Sequence, residues 1–265
     1  MHKCNITSAK GHGVEITGSS ANPTLTLCKM FDCGRHGIIV TQGGKGTFDN
    51  CEAYQNKARG IAVNGANSDP KVTGGKFYDN KQGNGIAVDE GGKGTFDTCE
   101  AYSNKIAGIH VSDNSDPKVI GCKFYRNTKG GIGVTDGGKG TFENCEAYGN
   151  AAAGIGVCGE NSDPKVTGCR FYNGKDDGIF VYGGGKGTFE NCEAYGNALA
   201  GIGVKENSDP TVRNCTFRNN KHTGICIFER GRGTYERNTL SGNSDGAWHL
   251  DNPGPFRRTG NRPNQ

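Results

Sequence analysis

Few side chains in this sequence pair a reactive type with a neighbour close enough to help it. Asp176 and Asp177 are adjacent carboxylates, and paired carboxylates are what acid–base hydrolysis of a glycosidic bond requires. Phe180 and Tyr182 follow within five residues, and His110 stands apart as a lone candidate base or ligand. Exposed aromatics can stack on a sugar ring while nearby carboxylates take its hydroxyls. Phe180, Tyr182, Asp176, Asp177 and His110 are therefore the candidate ligand-binding residues. None is assigned as catalytic, because no cluster of titratable groups converges. The twelve cysteines show neither the Cys-x-x-Cys spacing of a zinc site nor a compact disulfide framework, so no metal and no cofactor is expected.

The cysteines instead keep time. Cys4, Cys28, Cys51, Cys99, Cys122, Cys145, Cys169, Cys192 and Cys215 recur every 23 or 24 residues, with Gly75 and Asn238 filling the two gaps. A longer period of 46 to 48 residues lies over it, marked by Gly-x-Gly-Thr-(Phe/Tyr) at Gly44, Gly92, Gly138, Gly185 and Gly231. Gly-Ile-x-Val segments bounded by Gly, Asn or Asp recur in each short period and read as strands, and nothing is long enough for an amphipathic helix. Such a fixed period implies a solenoid: an all-β, single right-handed parallel β-helix of about eleven coils of 23–24 residues. The coils span residues 1–243, and residues 244–265, with the only Trp and three prolines, are expected to be an irregular C-terminal cap over the open end.

Alternating residues assign the core. Phe48, Val72, Phe96, Val119, Phe142, Val166, Phe189 and Val212 precede the cysteine column by three residues, while Ala53, Phe77, Ala101, Phe124, Ala147, Phe171, Ala194 and Phe217 follow it by two. Each coil thus carries one Phe, alternating between two inward sites, which interleaves large and small groups at constant volume. An Asn column from Asn56 to Asn243, broken by Gly174, is expected to stack along a turn. A Tyr column from Tyr54 to Tyr195 is expected to form an outer structural ladder. Two alternating charge columns, Lys45/Asp69/Lys93/Asp116 onward and Glu52/Lys76/Glu100/Lys123 onward, should set register by opposing unlike charges.

The paired strings SDPKVIGCKFYRNTKGGIGV and GGKGTFENCEAYGNAAAGIGV resemble the parallel β-helix repeats of the pectin-lyase-like superfamily. They are most similar to the carbohydrate-binding and sugar-hydrolase-type repeats also found in F-box-only proteins, over about Cys4 to Asn243. The resemblance implies the β-helix fold and a polysaccharide-facing outer strand stack, in enzymes and binding scaffolds alike. In pectin-degrading members the chemistry sits on the outer face of one strand stack. The matching strip here, the middle residue of each Gly-Ile-x-Val strand, runs Glu15, Ile39, Ala62, Ala87, His110, Gly133, Gly156, Phe180, Gly203, Cys226. It is poor in titratable groups, and coils of such even length leave no inserted loop to wall a cleft. The Gly11-His12-Gly13 triplet and the aspartate pair look like elements of polygalacturonases, but seven coils, roughly 33 Å, separate them.

A net charge of +4 with basic residues spread along the chain argues against nucleic acid as a partner, and no stretch approaches a membrane span. A column of unoxidised thiols implies a reducing compartment, the cytoplasm. The expected function is a non-catalytic scaffold or recognition domain binding carbohydrate or a protein partner, with a polysaccharide-acting lyase, hydrolase or epimerase as the alternative. The first coil looks uncapped, which leaves an edge through which copies could associate.

Overall fold

Alternation within each short segment produces three strands per coil, as in Thr141–Glu143, Glu146–Tyr148 and Ile155–Cys158. The computed structural model describes residues 1–263, and in it each strand pairs in parallel with the equivalent strand of the coils before and after. Three parallel sheets of eleven strands result. We name them by residues that recur in them: the Gly-Ile sheet (Val14–Thr17 to Trp248–Asp251), the Tyr sheet (Asn5–Ile6 to Thr239–Ser241) and the Thr sheet (Thr24–Thr26 to Phe256–Thr259). No described element is a helix, and none is long and apolar enough to cross a membrane.

The corner between the Thr and Tyr sheets is turned by one residue with left-handed backbone, Asn144 (φ 53°) in one coil and Gly168 (φ 65°) in the next. That geometry explains why Asn and Gly precede the cysteines so often. The cysteine at the corner points inward, and Cys169 Sγ donates to Phe142 O, 3.5 Å away on the preceding coil. Burial pushes the Cys51 thiol up to about 11, so there the thiol is neutral apolar filling with a weak donor. All twelve cysteines are free.

The alternating core is formed as the sequence implies. Phe142 lies opposite Val119 and Val166, Ala147 lies opposite Phe124 and Phe171, and all six are buried. The Asn column is a buried ladder: Asn104 N–H and Nδ2 both donate to Asn127 Oδ1 at 3.0 and 3.1 Å, and Nδ2 also donates to Phe77 O at 3.0 Å. At Gly174 it breaks, and Asn150 Nδ2 keeps only its bond to Phe124 O. Outside, Phe31 and seven tyrosines from Tyr54 to Tyr195 stack at 4.8–5.2 Å, with the Arg218 guanidinium over the last ring at 4.2 Å.

The charge columns behave differently from one another. Lys29–Glu52 and Arg170–Glu146 are ion pairs in the second column. In the first column the coils are in register, but no ion pair within 4 Å forms among its described residues; Asp116 accepts from Gly140 N–H at 3.1 Å instead. Residues 244–263 carry regular structure: Trp248–Asp251 and Phe256–Thr259 add the last strand to two sheets, with Trp248 packed edge-on against Tyr235. The final two residues of the expected cap lie outside the described residues.

Candidate functional site

Three columns of the Gly-Ile sheet face outward: the residue before each Gly, the middle residue of the strand, and the residue two beyond it. The first column is largely occupied with backbone. His12 Nδ1, His36 Nδ1, Asn84 Oδ1 and Asp177 Oδ1 each accept the backbone N–H one coil further on, from His36, Arg59, Ala107 and Ala200, at 2.8–3.3 Å. One carboxylate oxygen of Asp177 is therefore a structural bridge. The Gly-His-Gly histidine is likewise structural and stacks on His36 at 5.0 Å.

The middle column alternates between covered and open stretches. Ala62 and Ala87 are fully buried although they point outward, because Arg59 in the first column reaches across the strands to the Asp89 carboxylate in the third. Asp89 Oδ1 also accepts from Ser112 Oγ at 2.9 Å and lies 3.8 Å from His110 Nδ1. Burial pushes the Asp89 carboxyl up, but the contact with His110, the charge of Arg59 and the Ser112 hydroxyl outweigh it and hold the group below its ordinary value. On its other side His110 Nε2 is 3.2 Å from Thr135 Oγ1, which donates to Asp136 Oδ2 at 2.8 Å. His110 is thus not isolated. The flanking Ala87 and Gly133 offer it nothing, as the middle column implies, but Asp89 in the third column does.

Beyond His110 the floor falls away. Gly133 and Gly156 leave the sheet backbone bare, and a trough of about 340 Å³ opens between His110 and the stacked rings of Phe180 and Tyr182, whose centroids are 4.8 Å apart. Ile106, Lys129, Ala152 and Asp176 wall it from the turn side. No inserted loop is needed, since side chains on ordinary turns make the wall. Of the five candidate residues, His110, Asp176, Phe180 and Tyr182 meet in this trough. Asp177 does not line it. It is 6% exposed and faces a separate pocket across Phe180. Burial, with the charge of Asp176, pushes its carboxyl up to about 7 against the opposing Ala200 N–H.

Asp89, Arg59, Ser112 and Thr135 escape a reading confined to the middle column. The same alternation that places Ala87 outward also places Asp89 outward, so the signal was present two residues on. Among the described residues no three His, Cys, Asp or Glu side chains converge as metal ligands.

Known proteins share this fold. A solved A-module of Azotobacter vinelandii mannuronan C-5 epimerase AlgE6 is 14% identical, covers 98% of this chain and 89% of its own, and superposes with a TM-score of 0.69. The periplasmic alginate epimerase AlgG is 15% identical over 97% of this chain and 76% of its own, with a TM-score of 0.62. At such identities these likenesses show the fold alone. Among curated proteins, the F-box protein dre-1 of Caenorhabditis elegans is 34% identical over 62 residues, which are 23% of this chain and 7% of that protein. The family model described as the right handed beta helix region matches residues 1–124 and 107–257. With the model spanning nearly the whole chain, the protein belongs to the right-handed β-helix family.

Proposed function

We propose that the outer face of the Gly-Ile sheet is a non-catalytic carbohydrate-recognition surface centred on the trough between His110 and Phe180. The single observation carrying this reading is the trough itself. A flat glycine floor lies against a stacked aromatic pair, and His110, Lys129, Thr135 and Asp176 are within it to take hydroxyls. Two similar folds are named as epimerases of mannuronan and alginate, which supports a polysaccharide as the ligand class. Twelve free thiols support a reducing compartment.

A glycan array is the test. The parent protein should retain a defined set of glycans, and Phe180→Ala with Tyr182→Ala should abolish retention while leaving the far-ultraviolet circular dichroism unchanged. Retention that survives this double variant removes the trough from consideration. A second reading, an enzyme acting on a polysaccharide, is favoured by Asp177, whose buried carboxyl is poised near neutrality as an acid–base group would be. Turnover of any glycan that falls by orders of magnitude in Asp177→Asn with binding retained would establish it.

A further inference from the structure

On the far side of Phe180, beyond Gly203, the surface opens again. The pocket there has a volume of about 140 Å³ and is lined by Asp177, Leu199, Ala200, His222, Cys226 and Phe228. A β-carbon at Gly203 would stand 2.8 Å from Asp177 Oδ2 and 3.1 Å from Phe180 Cδ2, so only glycine leaves this space free. Asp177 Oδ1 is committed to Ala200 N–H, whereas Oδ2 has no hydrogen-bond partner among the described residues and lies over Gly203, and Asp177 lines the pocket.

The remaining polar lining is already occupied. His222 Nδ1 is 3.3 Å from Thr223 Oγ1 and Nε2 is 3.4 Å from Asp245, so both ring nitrogens are already engaged. Burial, with the charges of Asp177 and Asp251, pushes the Cys226 thiol up to about 11, which keeps it neutral. Leu199, Ala200 and Phe228 are apolar. In its protonated form Asp177 offers one hydrogen bond to an acceptor, and the rest of the lining suits an apolar end. A sugar hydroxyl lacks the apolar end. An acyl group has both, a carbonyl oxygen and a methyl.

We propose that this pocket receives the acetyl group of an N- or O-acetylated sugar whose ring packs on Phe180, with the Asp177 carboxyl donating to the acetyl carbonyl. This rests on the carbohydrate reading of the adjoining trough. It also makes binding sensitive to pH, because an ionised Asp177 can no longer donate. The charged and titratable groups facing Asp177 are Asp176 on its own turn, His222 from the turn two coils on and Cys226 on the strand two coils on. Lys205, just after the intervening strand Ile202–Val204, is held by Glu206 and Glu229 at 2.8 and 3.4 Å. With the Asp177 carboxyl at about 7, nearly all molecules carry the donor at pH 5.5 and about one in ten at pH 8.0, so affinity should fall about tenfold between them.

The test is a glycan array carrying matched acetylated and deacetylated glycans, probed at pH 5.5 and pH 8.0 with the parent protein and Asp177→Asn. Asparagine keeps the bridge to Ala200 and offers an amide donor that does not titrate. The expected result is preference for acetylated glycans at pH 5.5, about tenfold weaker retention at pH 8.0, and loss of that pH dependence in Asp177→Asn. Retention that ignores acetylation, parent binding equal at both pH values, or pH dependence persisting in Asp177→Asn would overturn this pocket alone. If no glycan is retained at either pH, the carbohydrate reading falls and this inference with it.

Discussion

Replacing Asp177 by Asn should stabilise the fold, and more so as pH rises. The Asp177 carboxyl titrates at about 7 in the folded chain against 3.8 for an exposed aspartate. A folded-state value raised above the unfolded one leaves stability intact below pH 3.8 and erodes it as pH rises, until the loss is complete above 7. The difference between the folded and unfolded values is worth about 4 kcal/mol at most, and roughly 2–3 kcal/mol of that develops between pH 5 and pH 8. His36 acts in the opposite sense: burial, with the charge of Arg59 beside it, holds its imidazole at about 4 against 6.5, so its contribution is lost as pH falls from 6.5 towards 4. Because His36 is present in both proteins, it cancels in the difference between them. Denaturant unfolding of parent and Asp177→Asn at pH 5 and pH 8 isolates the aspartate. The gap between the two proteins should widen by about 2–3 kcal/mol from the lower to the higher pH. An equal gap at both pH values, or a variant less stable than the parent at pH 8, would refute the buried-carboxyl reasoning.

Phe142→Ala should cost about 3–5 kcal/mol in chemical denaturation, because the ring is fully buried between Val119 and Val166 and its removal leaves a void; an unchanged midpoint would contradict the inward assignment. Gly174→Asn should raise the melting temperature, by about 1–2 kcal/mol of added stability, since it supplies the acceptor that Asn150 Nδ2 lacks. The backbone at Gly174 is not left-handed, and the nearest atom to a new β-carbon is 3.3 Å away, so a drop in melting temperature would show that the gap in the ladder is filled some other way.

The coil, its three strands and its alternating core were legible in the sequence because each feature repeats, and repetition averages out local ambiguity. The site was only partly legible because it depends on where the repetition fails. Phe180 and Tyr182 stood out as large outward residues among glycines. The support of His110 was missed, because Asp89 lies one coil back and two residues along, a diagonal neighbour that inspecting one column at a time passes over. The separation of Asp176 from Asp177 had no sequence signal. It arises because Leu199 and His222, on the turns of the next two coils, help enclose the second carboxylate, while the first stays beside the trough.

The interleaved core restricts how this molecule can grow. Excising one coil between Val119 and Val166 would bring those two valines face to face and set Phe124 against Phe171, leaving a void beside a clash. Removing or copying two coils preserves the alternation of large and small groups in the core. The heritable unit is therefore the pair of coils, 46 to 48 residues long. A lineage of such chains can lengthen or shorten only in steps of two, and each step changes how far a surface feature such as the Phe180 wall lies from either end while the interior stays as it was.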